Sequence, residues 1–171
     1  EILMGSLLLY SPSDVTVSIA GLHIATGFAD GAFINISKDV EPFEVQRAMD
    51  GSVARIYKHD EGFKLDLTLA QSSQTNNILS ALYNIDVATK KGKFPVFITD
   101  NRGSTKFFAL TAWVDRIPNV SFGKDLDVRT WTLQCTQATI TVGGNANQTA
   151  IEKALDFGAS LLPMFKEFGV L

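Results

Sequence analysis

The chain reads as a mainly β protein: a β-sandwich or half-barrel with one flanking helix, a long extended loop and a C-terminal helix. Two observations carry this reading. Phe63, Leu65, Leu67 and Leu69 alternate with Lys64, Asp66 and Thr68, the period-two pattern of a strand with one buried and one wet face. Short alternating runs of this kind recur along the chain, separated by turn sequences rich in Gly and Asp.

Taken in order, Val15-Thr16-Val17-Ser18-Ile19 is a first strand, broken at Gly21 before a second apolar run from Leu22 to Phe28. Ala29-Asp30-Gly31 supplies a turn, and Phe33 to Ser37 follows with Ile34 and Ile36 facing opposite to Asn35 and Ser37. Residues 38–62 change character. Pro42, Asp50-Gly51, Asp60 and Gly62 fall there, around the short run Ala54 to Tyr57, and the stretch reads as a long excursion or hairpin arm. Loops of that length in a compact domain are either interfaces or mobile surface segments, and pattern alone leaves both open.

After the Phe63–Leu69 strand, Ser72 or Ser73 stands where a helix cap belongs, ahead of Ile78, Leu79, Leu82 and Tyr83 at helical spacing. Phe94 to Thr99 is a further strand. Its hairpin partner runs from Lys106 to Ile117 across Asp100-Asn101-Arg102-Gly103, with apolar residues on both faces that point to burial on both sides or to a partner chain. The longest strand spans Val128 to Val142. Trp131, Leu133 and Cys135 face one way and Thr130, Thr132 and Gln134 the other, and near Thr136 the apolar set shifts by one residue, the mark of a bulge. Gly143 to Asn147 is a hinge. Residues 149–165 have Ile151, Leu155, Leu162 and Phe165 at helical spacing, so the chain divides into a β domain over 1–146 and an amphipathic helical extension over 147–171.

Composition bounds the function. The chain has 171 residues, 46% of them apolar, which is ample for one packed domain without disulfides. A net charge of −3 disfavours a basic groove that grips nucleic acid. The N-terminal residues show no basic flank or hydrophobic stretch of the length a signal peptide needs, and no apolar run approaches the roughly 20 residues of a membrane span. Stable membrane insertion is not expected.

No chemistry converges. His23 and His59 are far apart in sequence and lack metal-ligand spacing, so no metal or other cofactor is expected. Cys135, the single cysteine, sits on an apolar strand face as a small hydrophobe. Asp125/Asp127 and Asp60/Glu61 read as solvated loop carboxylates, and neither a phosphate loop nor a nucleophile elbow is present. The chain is read as a non-enzyme without catalytic residues. The one functional pattern is geometric: Asn35 and Ser37, Lys64, Asp66 and Thr68, and Thr130, Thr132 and Gln134 form polar stripes on strands whose reverse faces are apolar. Such a face lines an aqueous bore or forms the wet side of an ordinary sandwich, and the pattern fits both.

The run Thr26-Gly27-Phe28-Ala29-Asp30-Gly31, then Asp50-Gly51, then Leu67 to Ser73 with Asn76, Asn77 and Leu79, resembles the tail tube proteins of contractile-tailed bacteriophages. The likeness covers about residues 14–142. That family is similar in fold to the tube proteins of type VI secretion systems and pyocins. The resemblance implies hexameric rings in which each subunit gives about four strands to an inter-subunit β-barrel, stacked into a hollow tube that conducts DNA at genome ejection. It implies a virion tail location, assembly in the bacterial cytoplasm, and sheath, baseplate and tail terminator partners. Tape measure protein and DNA would occupy the lumen without sequence-specific binding. On this chain it places Asn35, Ser37, Lys64, Asp66, Thr68, Thr130, Thr132 and Gln134 toward the lumen. It assigns the inter-subunit, inter-ring contact to the excursion, with Glu41, Phe43, Glu44, Arg47, Arg55 and Tyr57. A bacteriocin or secretion-like tube and a monomeric β-sandwich that binds a small ligand are the competing readings.

Overall fold

A computed structural model describes residues 11–144. The expected C-terminal helix lies outside the described residues. A short 3₁₀ turn, Pro12–Asp14, leads into β1 (Val15–Ile19) and β2 (His23–Ile24), followed by β3 (Ile34–Lys38), β4 (Phe43–Arg47) and β5 (Val53–Tyr57). The remainder is β6 (Phe63–Ala70), helix α1 (Thr75–Thr89), β7 (Phe94–Asp100), β8 (Lys106–Arg116) and β9 (Val128–Thr141).

Seven strands form one antiparallel sheet in the order β2-β1-β7-β8-β9-β6-β3, and β4 and β5 pair separately as a hairpin. One side of the large sheet is apolar from β1 to β6, with Val17, Ile19, Leu65, Leu67, Leu69, Val96, Phe107, Ala109, Ala112, Leu133 and Cys135 buried. The sheet curls so that residues of β3, of β1 and β7 and of the β7–β8 turn line a common cleft, which gives a sandwich-like half-barrel enclosing its own core. The predicted mainly β class with one flanking helix is the class observed.

Helix α1 closes one end. Leu79 is fully buried and Leu82 and Tyr83 pack on the core. The cap is tertiary: buried Ser73 accepts the Thr75 amide through Oγ at 3.2 Å and donates to the Thr26 carbonyl, while Thr75 Oγ1 accepts the Thr26 amide at 3.1 Å. The helix begins at Thr75 with Gln74 in the N-cap position, so Ser73 ties the preceding turn to residues 26–27 instead of capping from its own position. Gly27 is required there. Its φ is 73°, and a Cβ would lie 2.7 Å from Ser73 Cβ.

Three expectations change. The second strand is two residues long, because Gly21 (φ 70°) and Gly27 turn the chain at both ends of the Leu22–Phe28 run and leave Phe28 a single bridge to Leu69. Among the described residues β8 is buried on one side only, with Phe107, Ala109, Ala112 and Val114 inward while Phe108 and Leu110 are exposed. At the Thr136 shift Gln137 has φ 51°, yet β8 makes the same step between Ala109 and Ala112, so the β8–β9 register stays unbroken there and slips instead near Val114.

Candidate assembly surfaces

The excursion is a hairpin. Phe43 pairs with Tyr57, Val45 with Arg55 and Arg47 with Val53, and all ten strand residues are exposed. Its turn is set by Asp50, whose Oδ1 accepts the Ser52 amide at 2.9 Å and the Ser52 hydroxyl at 2.7 Å, with Gly51 at φ 86°. These contacts hold the Asp50 carboxyl below its usual range. Alternation divides the arm into two faces. One carries Phe43, Val45, Val53 and Tyr57 together with Arg47 and Arg55, with the Arg55 guanidinium 3.4 Å from the Phe43 ring centre and the Phe43 and Tyr57 rings 5.4 Å apart. The other carries Glu44, which pairs with Lys58 and titrates below its usual range for that reason. Glu41 lies at the arm's base, exposed and outside the strands.

An isolated two-stranded hairpin is marginal in water. Here the apolar face has no cover among the described residues: Val45 and Val53 are each 58% exposed and Tyr57 59%. The arm leaves the sheet between β3 and β6, at the end where Lys38 pairs with Phe63.

The opposite end of the sheet carries an open groove of about 470 Å³ between α1 and the β8–β9 connection, lined by Asn77, Tyr83, Ile117, Val120, Phe122 and Trp131 among others. Its floor is fixed by polar contacts: Trp131 Nε1 donates to Asn76 Oδ1 at 2.8 Å, and buried Arg129 donates to Asp127 Oδ2 at 3.2 Å and to the Ser121 carbonyl at 3.1 Å. Asp127 also accepts the Ser121 hydroxyl, the largest of the effects that hold its carboxyl below the usual range. Sequence reasoning missed this groove, because it is made by residues from three separated segments that share no local pattern.

The eight stripe residues do come together on the outer side of β3, β6 and β9. Register places Asn35 beside Asp66 and Asp66 beside Thr132, Ser37 beside Lys64 and Lys64 beside Gln134, with Thr68 beside Thr130. Thr132 donates to Asp66 at 2.7 Å, the Thr68 and Thr130 hydroxyls lie 3.3 Å apart, and Gln134 donates to Asp39. One Lys and one Asp balance each other among the eight, so the face is polar without cation density.

His23 Nε2 is 3.0 Å from Thr75 Oγ1 and His59 Nδ1 3.1 Å from the Tyr57 hydroxyl, so both histidines have structural partners. Among the described residues no group of three or more His, Cys, Asp or Glu is placed to hold a metal ion. Cys135 is fully buried, and that burial, with the Asp39 charge second, pushes its thiol up to about 12.

The fold and surfaces thus define a β scaffold whose distinctive features are an uncovered arm, a groove at the far end and a polar sheet face. The comparisons agree with the class. The chain is 29% identical over 143 residues to a structural protein, ORF10, of Pseudomonas phage KPP10, covering 80% of this chain and 83% of that relative. No family model matches. In fold it is similar to the sheath/tube terminator of an extracellular contractile injection system (PVC) in its extended state, with TM-score 0.52, 14% identity, 81% of this chain and 100% of that one. The tube-terminating cap of the anti-feeding prophage aligns with TM-score 0.48 at 14% identity, over 82% of this chain and 98% of the cap. The resemblance to contractile-tail structural proteins read from the sequence holds in these matches.

Proposed function

We propose that this chain is a structural subunit of a phage tail tube, forming hexameric rings that stack into a hollow conduit for DNA. The observation that carries the proposal is the placement of the amphipathic arm and the groove at opposite ends of the same strands. Complementary surfaces at opposite ends give head-to-tail contacts, which propagate as filaments instead of closing. The arm of one ring, through Phe43, Val45, Arg47, Val53, Arg55 and Tyr57, would seat against the next ring.

Within a ring, β3 offers a free edge, since among the described residues it pairs only with β6 in the sheet, and edge pairing between subunits would remove that liability. Six subunits each giving β3, β6 and β9 would form a barrel of about 18 strands on the order of 30 to 40 Å across. With β3, β6 and β9 inward, the lining is Asn35, Ser37, Lys64, Asp66, Thr68, Thr130, Thr132 and Gln134. A neutral polar lining lets duplex pass, because tight binding needs many cations against phosphates. No catalytic step is assigned to the subunit. Sheath, baseplate and terminator contacts, a virion tail location and assembly in the host cytoplasm belong to the same proposal.

The fold likeness to a sheath/tube terminator favours a second reading, a ring that ends the tube. Electron microscopy of the purified full chain over a concentration series tests both. Hollow tubes of constant bore and growing length support the tube subunit, single rings that never stack support the terminator, and monomers that never bind tubes or one another refute both.

A further inference from the structure

The outer side of the large sheet is two surfaces. Over β3, β6 and β9 it is polar, whereas over β7 and β8 it carries Phe97, Phe108, Leu110 and the half-buried Trp113. Phe97 and Phe108 are cross-strand partners with rings 6.3 Å apart, each 42% exposed, and Leu110 is 55% exposed. Large apolar side chains adjoining on neighbouring strands make a contiguous patch, the kind that marks a covered surface.

The chain leaves the sheet beside this patch. β9 ends at Thr141 opposite Lys106, and the next residues are held to the β7–β8 turn. Thr105 Oγ1 donates to the Gly143 carbonyl at 3.0 Å, and the Ser104 amide donates to the Gly144 carbonyl at 3.2 Å. Residues 145–171 continue from there.

Their sequence matches the patch in facing and reach. At about 100° per residue, Ile151, Leu155 and Leu162 fall within an arc of roughly 40°, Lys153 and Asp156 fall on the far side, and Glu152 lies on the flank. A helix over residues 149–162 is about 21 Å long. The outer row from Phe108 to Trp113 runs on the order of 16 Å. The link of residues 145–148 reaches at most about 14 Å, against about 10 Å along β8 from Thr105 to Phe108.

We propose that residues 149–162 of each chain dock as a helix on that chain's own β7–β8 outer face, with Ile151, Leu155 and Leu162 against Phe97, Phe108 and Leu110. The aromatic half of the sheet is then covered within the subunit and the polar half stays free. This goes beyond the tube proposal and holds whether or not rings form.

The test is site-directed crosslinking in the full chain at the rim of the patch, where the substitutions leave the apolar contacts intact. Thr139, opposite Phe108 on β9, and Ala154 are changed to cysteine and treated with a short bismaleimide at low protein concentration. Buried Cys135 stays out of the reaction. The expected product is an intramolecular crosslink, at least tenfold more abundant than from a control pair with Thr130→Cys at the far end of β9. Equal yields from both pairs would show an undocked tail, and covalent dimers would place the helix on another copy; either overturns the proposal. As a second measurement, Phe108→Asp in the full chain should raise the rate of proteolytic cleavage within residues 145–165 about tenfold, and an unchanged rate also overturns it.

Discussion

Replacing Val45 with Asp separates assembly from folding. Val45 is 58% exposed and lies opposite Arg55 across the hairpin, so a carboxylate there gains a cationic partner within the arm. An opposite-charge cross-strand pair contributes roughly 0.2–1 kcal/mol, and surface substitutions away from special features change stability by about 0.5 kcal/mol or less. The folded subunit should therefore be unaffected. In a stacked tube the same position is covered. Losing the burial of the exposed part of Val forfeits about 1 kcal/mol. Enclosing a polar group that is imperfectly paired costs about 2 kcal/mol more. The sum, about 3 kcal/mol for each arm, raises the critical concentration for tube growth on the order of 150-fold. Sedimentation of polymer across a dilution series reads this shift, and a denaturant melt of the unassembled subunit serves as control. Tubes forming at the unaltered concentration would refute the arm as an inter-ring element. A melt shifted by several kcal/mol would refute the claim that the arm is energetically separate from the core.

Four further outcomes follow from the core, the caps and the groove. Leu67→Ala, at a fully buried position between Ile34 and Trp131, should cost about 3–4 kcal/mol in urea unfolding through lost burial and the residual cavity. Gly27→Ala should cost about 2–4 kcal/mol, combining a left-handed backbone with overlap on Ser73, and loosened amide protection at Thr75 would locate the damage. Cys135, with its thiol up at about 12, should resist an aromatic disulfide reagent at pH 8 in the folded state, where about one molecule in 10⁴ is thiolate, and react at once when unfolded. The Asp127 carboxyl is held below its ordinary 3.8, so its contribution is fully present above that value and is lost as pH falls through the lower folded one; hydrogen exchange at Val128 should quicken in that acid range while the β6–β9 ladder stays protected.

The sheet was legible wherever burial is one-sided. β6 shows it most clearly, because a strand with Leu on one face and Lys, Asp and Thr on the other admits one facing only, and its neighbours β3 and β9 repeat the rule. That is also why all eight stripe residues fall on one surface in the order of the strands. Legibility failed where backbone geometry outweighs side-chain pattern. The Leu22–Phe28 run has the composition of a strand, but left-handed glycines at 21 and 27 bend it out of the sheet after two residues. The apolar residues on both faces of β8 point to double burial, and among the described residues only one of the two faces meets the core. The groove left no trace at all, since Trp131, Tyr83 and Phe122 meet only through tertiary structure.

The division of the outer face constrains how a ring could close. The polar half begins at β3, the strand with the free edge, and runs inward through β6 to β9; the aromatic half occupies β8 and β7 beyond it. A bore lined by all of β7, β8, β9 and β6 would place Phe97, Phe108 and Leu110 in water beside Lys64 and Asp66, an apolar patch facing the cargo. A bore lined from the β3 side keeps the wet surface polar and turns the aromatic half away from the axis. The free edge then lies at the seam between subunits, where its unpaired amides and carbonyls find partners. The facing that solvates the lumen is therefore the same one that satisfies the edge. In that arrangement the arm, rooted between β3 and β6, rises from the wall of the bore itself, so a contact that fixes one ring on the next also fixes the alignment of the two barrels.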